Sequence, residues 1–342
     1  MAASNDARTL SQLLRGSLVT QLIHVAAKTG VAELLGEGPR SAHELAASLH
    51  VDAQALYRVL RALASLGIFA ESAPGVFRLT PLAELLKSDV PGSLRGSAIF
   101  YGEPWWWDAC GRLLYSVTTG RPAFDHVHGK PLFAYLDQME EAARIFNQHQ
   151  TNMTEQDAAA VIAAYDFTAC TTVVDVGGGH GALTAAILRA SPQTRVVLFD
   201  QPGVVEGART RLQAAGVADR CTYAAGDFFA AVPDDGGTYV LKDIVHDWDD
   251  ERAVVILGNC RRAMHQRSPG AAVLLVVEKV IPPGDAPFAG KFTDITMLLA
   301  VGGRERTAEE YRSLLTAAGF SLTRIVPTAS PASVIEAVPA EH

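Results

Sequence analysis

The sequence is short of several things, and each shortage narrows what the chain can be. It has only four cysteines, Cys110, Cys170, Cys221 and Cys260, and no two stand at C-x-x-C spacing. Neither a structural zinc site nor a dithiol redox motif is therefore indicated, and the dispersed thiols read as free ones in a reducing compartment. It has no apolar run approaching the ~20 residues of a membrane-spanning helix. It has no surplus of positive charge: 29 Lys and Arg stand against 37 Asp and Glu, a net charge of -8. That balance disfavours a generally basic nucleic-acid binder. The opening MAASNDARTL pairs no basic segment with an apolar stretch, so no secretory signal is read and a cytoplasmic location is expected. What is plentiful is apolar side chain. At 49% hydrophobic and 19% charged over 342 residues, the chain can bury a large core and has the length for two or three domains.

The first half of the chain has helical periodicity. Apolar residues recur at helical spacing from Leu10 to Leu35, and Gly36, Gly38 and Pro39 end that segment. Ser41 followed by Glu44 forms a capping-box signature, and a second helix is expected from Asp52 to Gly67. Ile68–Ala70, a turn at Pro74–Gly75 and Val76–Leu79 predict a short hairpin. Helix, helix, hairpin is a winged-helix outline, expected over residues 1–100. Residues 1–80 carry seven basic and six acidic side chains, too even a balance to mark a phosphate-binding face. Residues 101–165 read as a helical linker with aromatic-rich turns.

After Cys170 the rhythm changes. Strands are expected at 172–176, 195–199, 221–225, 238–242, 271–278, 320–326 and 333–338, with helices at 182–190, 204–215, 250–265 and 308–318. This alternation predicts an α/β domain over 166–342, a mostly parallel seven-stranded Rossmann-like sheet covered on both faces. Only six residues, 327–332, separate the last two strands. That is too short for a parallel crossover, so these two should pair antiparallel.

The segment Val173–Gly181 follows a strand and opens a helix. Gly177, Gly179 and Gly181 allow a tight turn and a close approach of backbone to ligand. Gly177, Gly179 and Ala182 also fit the dinucleotide pattern, so S-adenosylmethionine and NAD compete. Asp200, at the end of the second strand of this domain, can accept from ribose hydroxyls in either case. Asp175 favours S-adenosylmethionine, since a carboxylate suits its cationic amino-acid end and opposes a pyrophosphate. Gly226, Asp227 and Phe228 follow the third strand, where the acid can accept from an adenine amino group and the ring can stack.

Taken together, Val174–Gly181, Gly226–Phe229, Leu241–Asp250 and Gly302–Thr307 resemble the two-domain, metal-independent, S-adenosylmethionine-dependent O-methyltransferases. That family includes plant caffeate and flavonoid enzymes and bacterial natural-product enzymes, the mitomycin type among them. The resemblance covers nearly the whole chain. It implies that Gly177, Asp200, Asp227, Phe228 and Lys242 contact the methyl donor, that His246 is the general base, and that Glu278 and Glu305 flank it. It also implies a homodimer formed through the winged-helix region, with no metal, no nucleic acid and no membrane as partner. The family often shows Phe-Asn-x-x-Met where this chain has Phe146, Asn147 and then Gln150, which points to a more polar acceptor or a different ring orientation.

Methyl transfer from a sulfonium needs an acceptor oxygen held in line and its proton removed. His246, just past the fourth strand, has an unperturbed pKa near 6.5 and would be a neutral base at physiological pH. Either glutamate can hold its other ring nitrogen. An aromatic, phenolic or quinonoid acceptor is expected, touched by Trp107, Asn147, Gln150 and Asp247, with S-adenosylhomocysteine as co-product. Trp105–Trp107 can alternatively pack an interface core, and Asp247 can instead cap the helix near Asp250. Other readings stand beside this one: a relative that binds the same donor for different chemistry, an NAD oxidoreductase, and a ligand-responsive winged-helix regulator on DNA.

Overall fold

The computed structural model describes residues 2–88, 90–234, 236–267 and 272–340. Ala271, the expected first residue of one strand, lies outside them. The chain divides into two compact units, Met1–Asp108 with Met139–Asn152, and Ala109–Gln138 with Met153–His342.

In the first unit, α1 (Ala2–Leu14), α2 (Gly16–Thr29) and α3 (Val31–Leu35) occupy the stretch expected as one helical segment. The segment is broken at Arg15 and at Gly30, which turns left-handed at φ 77°. β1 (Arg40–Ser41) leads into α4 (Ala42–Leu49) and α5 (Ala53–Ser65). The Ser41–Glu44 capping box is present, with the Ser41 amide donating to Glu44 at 2.8 Å. Asp52 lies outside α5 and caps it through the Ala55 amide at 2.7 Å. β2 (Phe69–Ala73) and β3 (Val76–Leu79) form the hairpin, and β1 adds to β3. Leu45, Leu60, Leu63, Phe69 and Phe77 fill the core beneath them. The winged-helix outline is therefore present. Leu10, Leu13, Leu14 and Leu18 leave a leucine face exposed along α1 and α2.

Short helices follow: α6 (Pro81–Glu84), α7 (Arg95–Phe100), α8 (Pro104–Cys110), α9 (Leu113–Thr119), α10 (Ala123–His128) and α11 (Leu132–Leu136). Then comes the long α12 (Glu140–Ala164). Within the first unit, Trp106 is buried against Phe100 at 4.6 Å, and His149 stacks on the same ring at 4.3 Å. Trp105 meets Phe100 edge-on.

The second unit holds β4 (Thr172–Val176), α13 (Ala182–Ala190), β5 (Arg195–Asp200), α14 (Pro202–Ala214), β6 (Cys221–Ala225), β7 (Thr238–Lys242), α15 (Asp250–Arg267), β8 (Val273–Lys279), α16 (Gly290–Ala300), α17 (Ala308–Ala317), β9 (Phe320–Pro327) and β10 (Ala332–Pro339). The seven strands run in the order β6-β5-β4-β7-β8-β10-β9. β4 to β8 pair parallel, while β10 inserts antiparallel between β8 and β9. Both faces are covered, so the central strands are buried nearly throughout instead of alternating. Val174, Tyr239, Leu241 and Val276 face one core cluster, while Val173, Val240, Leu275 and Val277 face the other. All the parallel strands end on one edge, where an open α/β sheet places its ligands. Sequence periodicity did not single out α16.

Candidate active site

The first part of that edge is backbone. The amide of Gly177 donates to the Phe199 carbonyl at 2.8 Å, closing the loop over the end of β5. Gly179 sits at φ 55° and its amide donates to Asp200 Oδ2 at 2.8 Å. No atom lies within 4 Å of where a Cβ on Gly179 would project, so the loop offers open space there. The other Asp200 oxygen accepts from the Gln201 amide at 2.7 Å. Each oxygen has used one lone pair and retains another. Burial raises the proton affinity of Asp200 while these amides oppose it.

Asp175 lies beneath the loop, 2% exposed, and not open to it. Its Oδ2 accepts from the Thr184 hydroxyl at 2.6 Å, and burial lifts its pKa to about 6. The carboxylate expected beside a ligand's cationic end thus supports the loop from below. At the end of β6, the Gly226 amide donates to the Asp200 carbonyl at 3.0 Å. Asp227 is exposed, with Oδ1 accepting from the Phe229 amide at 2.8 Å. Asn259 of α15 clamps this turn, donating to the carbonyls of Phe228 and Phe229 at 2.6 and 2.9 Å. Phe228 is half-buried, edge-on to Phe229 and Trp248. Trp248 in turn meets Phe229 at 4.7 Å and lies under the Arg252 guanidinium at 4.2 Å.

His246 occupies a single 3-10 turn, Val245–Asp247, after β7. Glu278 Oε1 caps that turn, accepting from the amides of Ile244, Val245 and His246 at 3.1, 2.9 and 3.3 Å. The ring's Nδ1 is 2.9 Å from Glu305 Oε1 and 3.1 Å from Glu278 Oε2. A proton on Nδ1 is what two carboxylates require, and in the neutral ring it leaves the Nε2 lone pair free. Asp247 Oδ1 stands 3.5 Å from Nε2, beyond hydrogen-bond reach. Burial alone would make the ring give up its proton, but Glu278 and Glu305 outweigh it and lift the pKa to about 10. The neutral imidazole expected at pH 7 from the free side chain is thus displaced by two buried carboxylates. Burial also pushes Glu278 to about 7 and Asp247 to about 6.

The segment Gly302–Thr307 holds the turn in place. A Cβ on Gly303 would lie 2.0 Å from the His246 carbonyl oxygen, so only glycine admits this approach. The Arg304 amide donates to that carbonyl at 2.8 Å. Asp294 of α16 accepts from the Glu305 amide at 2.9 Å. Arg306 is fully buried and donates to the carbonyls of Val245 and Trp248 and to the Asp250 carboxylate, at 2.8–3.1 Å. The helix cap at the start of α15 is Asp249, not Asp247, through the Arg252 amide at 2.8 Å.

Lys242 ends β7 buried, its ammonium 3.2 Å from Asp157 and in contact with Asp243. Asp243, His246 and Glu278 each bring a possible ligand atom within 4.8 Å of the others. Lys242 and Lys279 already supply positive charge to Asp243, so the acidic charge there has its cations. Trp107, Asn147 and Gln150 are half-buried in the other compact unit. Sequence reasoning missed Arg306, Asn259, Trp248, Asp157 and Lys279. The Leu241–Asp250 and Gly302–Thr307 motifs contained two of these without revealing what they touch. Among the described residues, no helix is long and apolar enough to cross a membrane.

Residues 111–321 match the O-methyltransferase domain and residues 11–89 match the O-methyltransferase dimerisation domain. The chain is 48% identical to the phenazine O-methyltransferase PhzM of Lysobacter antibioticus, over 96% of this chain and 95% of the relative. It is 41% identical to the O-demethylpuromycin-O-methyltransferase of Streptomyces alboniger, over 96% and 88% respectively. Its structure matches that of CalO1, a methyltransferase in calicheamicin biosynthesis solved in an SAH-bound form. That match has a TM-score of 0.85 at 37% identity and covers 99% of this chain and 100% of the other.

Proposed function

The chain belongs to the S-adenosylmethionine-dependent O-methyltransferase family, and from that premise we propose that it methylates a hydroxyl of an aromatic natural product with His246 as general base. The observation that carries the assignment is the double carboxylate on Nδ1. It fixes the ring's orientation and stabilises the imidazolium that forms as Nε2 takes the acceptor's proton.

The donor fits the edge of the sheet. The space above Gly179, the remaining lone pairs of Asp200 and the exposed Asp227 suit a nucleoside. Gly177, Gly226, Phe228 and Lys242 complete the proposed contacts, while Asp175 acts from beneath. Bound S-adenosylmethionine supplies a methyl already activated by its sulfonium. The protein's work is then to hold the acceptor oxygen in line and remove its proton. Asp247, Trp107, Asn147 and Gln150 are assigned to the acceptor, and Gln150 favours one with a polar substituent. The PhzM relative makes a hydroxylated phenazine the first acceptor to try. Residues 11–89 and the exposed leucines of α1 and α2 support a homodimer, and a cytoplasmic location accompanies this reading.

Turnover with S-adenosylmethionine against a panel of hydroxylated aromatics, read by mass, tests the proposal. His246→Ala should lose about 10²–10⁴-fold in turnover on an un-ionised acceptor while donor affinity changes little. The wild-type rate should rise with pH through an inflection well above 6.5, because the base must be neutral and its pKa is raised. Glu305→Gln removes one of the raising charges and should move the inflection down. Full activity of His246→Ala on a phenol held below its pKa would refute the base.

A further inference from the structure

A line of buried charges alternates in sign from the long helix to His246. Asp157, in the part of α12 that belongs to the second unit, is buried where its neighbours Ala158 and Val161 pack against the sheet. Its Oδ2 is 3.2 Å from Lys242 Nζ. Lys242 contacts Asp243, Asp243 Oδ1 is 3.1 Å from Lys279 Nζ, and Lys279 Nζ is 3.9 Å from Glu305 Oε1. That same Glu305 oxygen is 2.9 Å from His246 Nδ1. We propose that Asp157 is a positioning residue for His246, acting through Lys242, Asp243, Lys279 and Glu305; the proposal rests on His246 being the base.

Three features carry it. A carboxylate on the packed face of a helix is costly unless paired, and Asp157 meets the cation at one end of this line. Asp243 holds a left-handed backbone at φ 53°, uncommon outside glycine but tolerated by Asp. There its carboxylate reaches both lysines at once. Finally, the Glu305 oxygen that holds the imidazole at 2.9 Å lies 3.9 Å from the Lys279 ammonium, so the charge of that ammonium acts on it without a hydrogen bond.

The direction of the effect follows. Without the Asp157 charge, Lys242 draws more fully on Asp243. Lys279 then loses part of that partner and leans on Glu305, whose oxygen receives the Nδ1 proton. The imidazolium is less stabilised and releases its proton at lower pH. Other charges act on the ring as well: Asp243 and Asp247 from its own segment, Glu278 from β8, and Glu305 from the 302–306 segment, with Lys279 beyond Glu305. Tyr311 of α17 faces the two glutamates, and Asp294 of α16 holds the Glu305 amide. Of these, Asp243, Lys279 and Glu305 connect to Asp157 through the line.

The test is NMR titration of the full-length, ligand-free protein labelled at histidine, with His246→Ala identifying the resonance, together with the pH–rate profile. Asp157→Asn should move the His246 titration and the rate inflection down by about 0.5–1 unit. The plateau rate should stay within about threefold, as Brønsted behaviour of the base allows. Asp157→Glu should restore most of the shift. Lys242→Met, read by NMR alone, should move the titration the other way, because Asp243 is then left to Lys279. An unchanged His246 titration in Asp157→Asn, with His246→Ala inactive, overturns this proposal and leaves the base standing. Shifts of the same sign in Asp157→Asn and Lys242→Met overturn it as well. Retained activity of His246→Ala overturns both readings, since no base is then being positioned.

Discussion

The glycine loop after β4 and the turn that carries His246 lie on the same sheet edge, and they are held by opposite means. In the loop the contacts come from the adjoining strand and helix, two of them from backbone amides: Gly177 to Phe199 and Gly179 to Asp200 on β5, and the Thr184 hydroxyl of α13 to Asp175. In the turn the contacts are buried charges brought from far along the chain, with Glu278, Glu305 and Arg306 each reaching back to residues 244–250. The two glycines at these places differ in the same way. Gly179 is needed for its left-handed φ and has open space around it, while Gly303 is needed because a carbonyl oxygen stands where its side chain would be. A ligand cradle needs emptiness, and backbone supplies it. The general base proposed for His246 needs a fixed field, which buried charges supply here.

The comparison is broken most directly at Arg306. Arg306→Met takes the guanidinium from the carbonyls of Val245, Trp248 and Arg304 and leaves Asp250 to Arg304 alone, so stability should fall by about 2–5 kcal/mol, read from denaturant midpoints, and turnover should fall with it. A variant of wild-type stability would mean the turn supports itself as the loop does. The next effect in size falls on the loop. Asp200→Ala should weaken S-adenosylmethionine binding by about 1.5–3 kcal/mol, measured calorimetrically, with little loss of fold stability. Equal loss of binding and stability would show that the loop depends on this side chain as the turn depends on Arg306. The smallest effect is Thr184→Val, which strips Asp175 of its hydroxyl donor and should cost about 1–2 kcal/mol of stability by thermal melting. No change there would mean that Asp175 finds another partner.

The same contrast explains what could be read in advance. The strands of the second unit, the glycine loop, the Ser41–Glu44 box and the closing antiparallel pair are encoded by neighbours in sequence, and the structure has them within a few residues of expectation. The break at Arg15 escaped notice because the apolar spacing runs through it. The burial of Asp175 escaped because its position before the loop does not disclose that Thr184, nine residues on, holds its carboxylate. Arg306 sits in a run of charged residues that looks solvent-exposed. Its burial follows from Val245, 61 positions earlier, and no local pattern reveals a partner that remote. The raised pKa of His246 escaped for the same reason: the residue's type was legible, its field was not.

Residues 305 and 306 are neighbours whose side chains serve different masters. Glu305 turns to the imidazole and Arg306 to the backbone around it, while the Arg306 carbonyl accepts from the Ile281 amide at 2.9 Å and the segment bridges to Val280. One inserted or deleted residue between Gly303 and Thr307 would exchange these duties and place a cation against His246. For anyone recombining this scaffold, that stretch is a fixed-length cassette. Diversity belongs elsewhere, at positions such as Asn147 and Gln150 of α12, proposed for the acceptor, where a change of side chain leaves the spacing around His246 untouched.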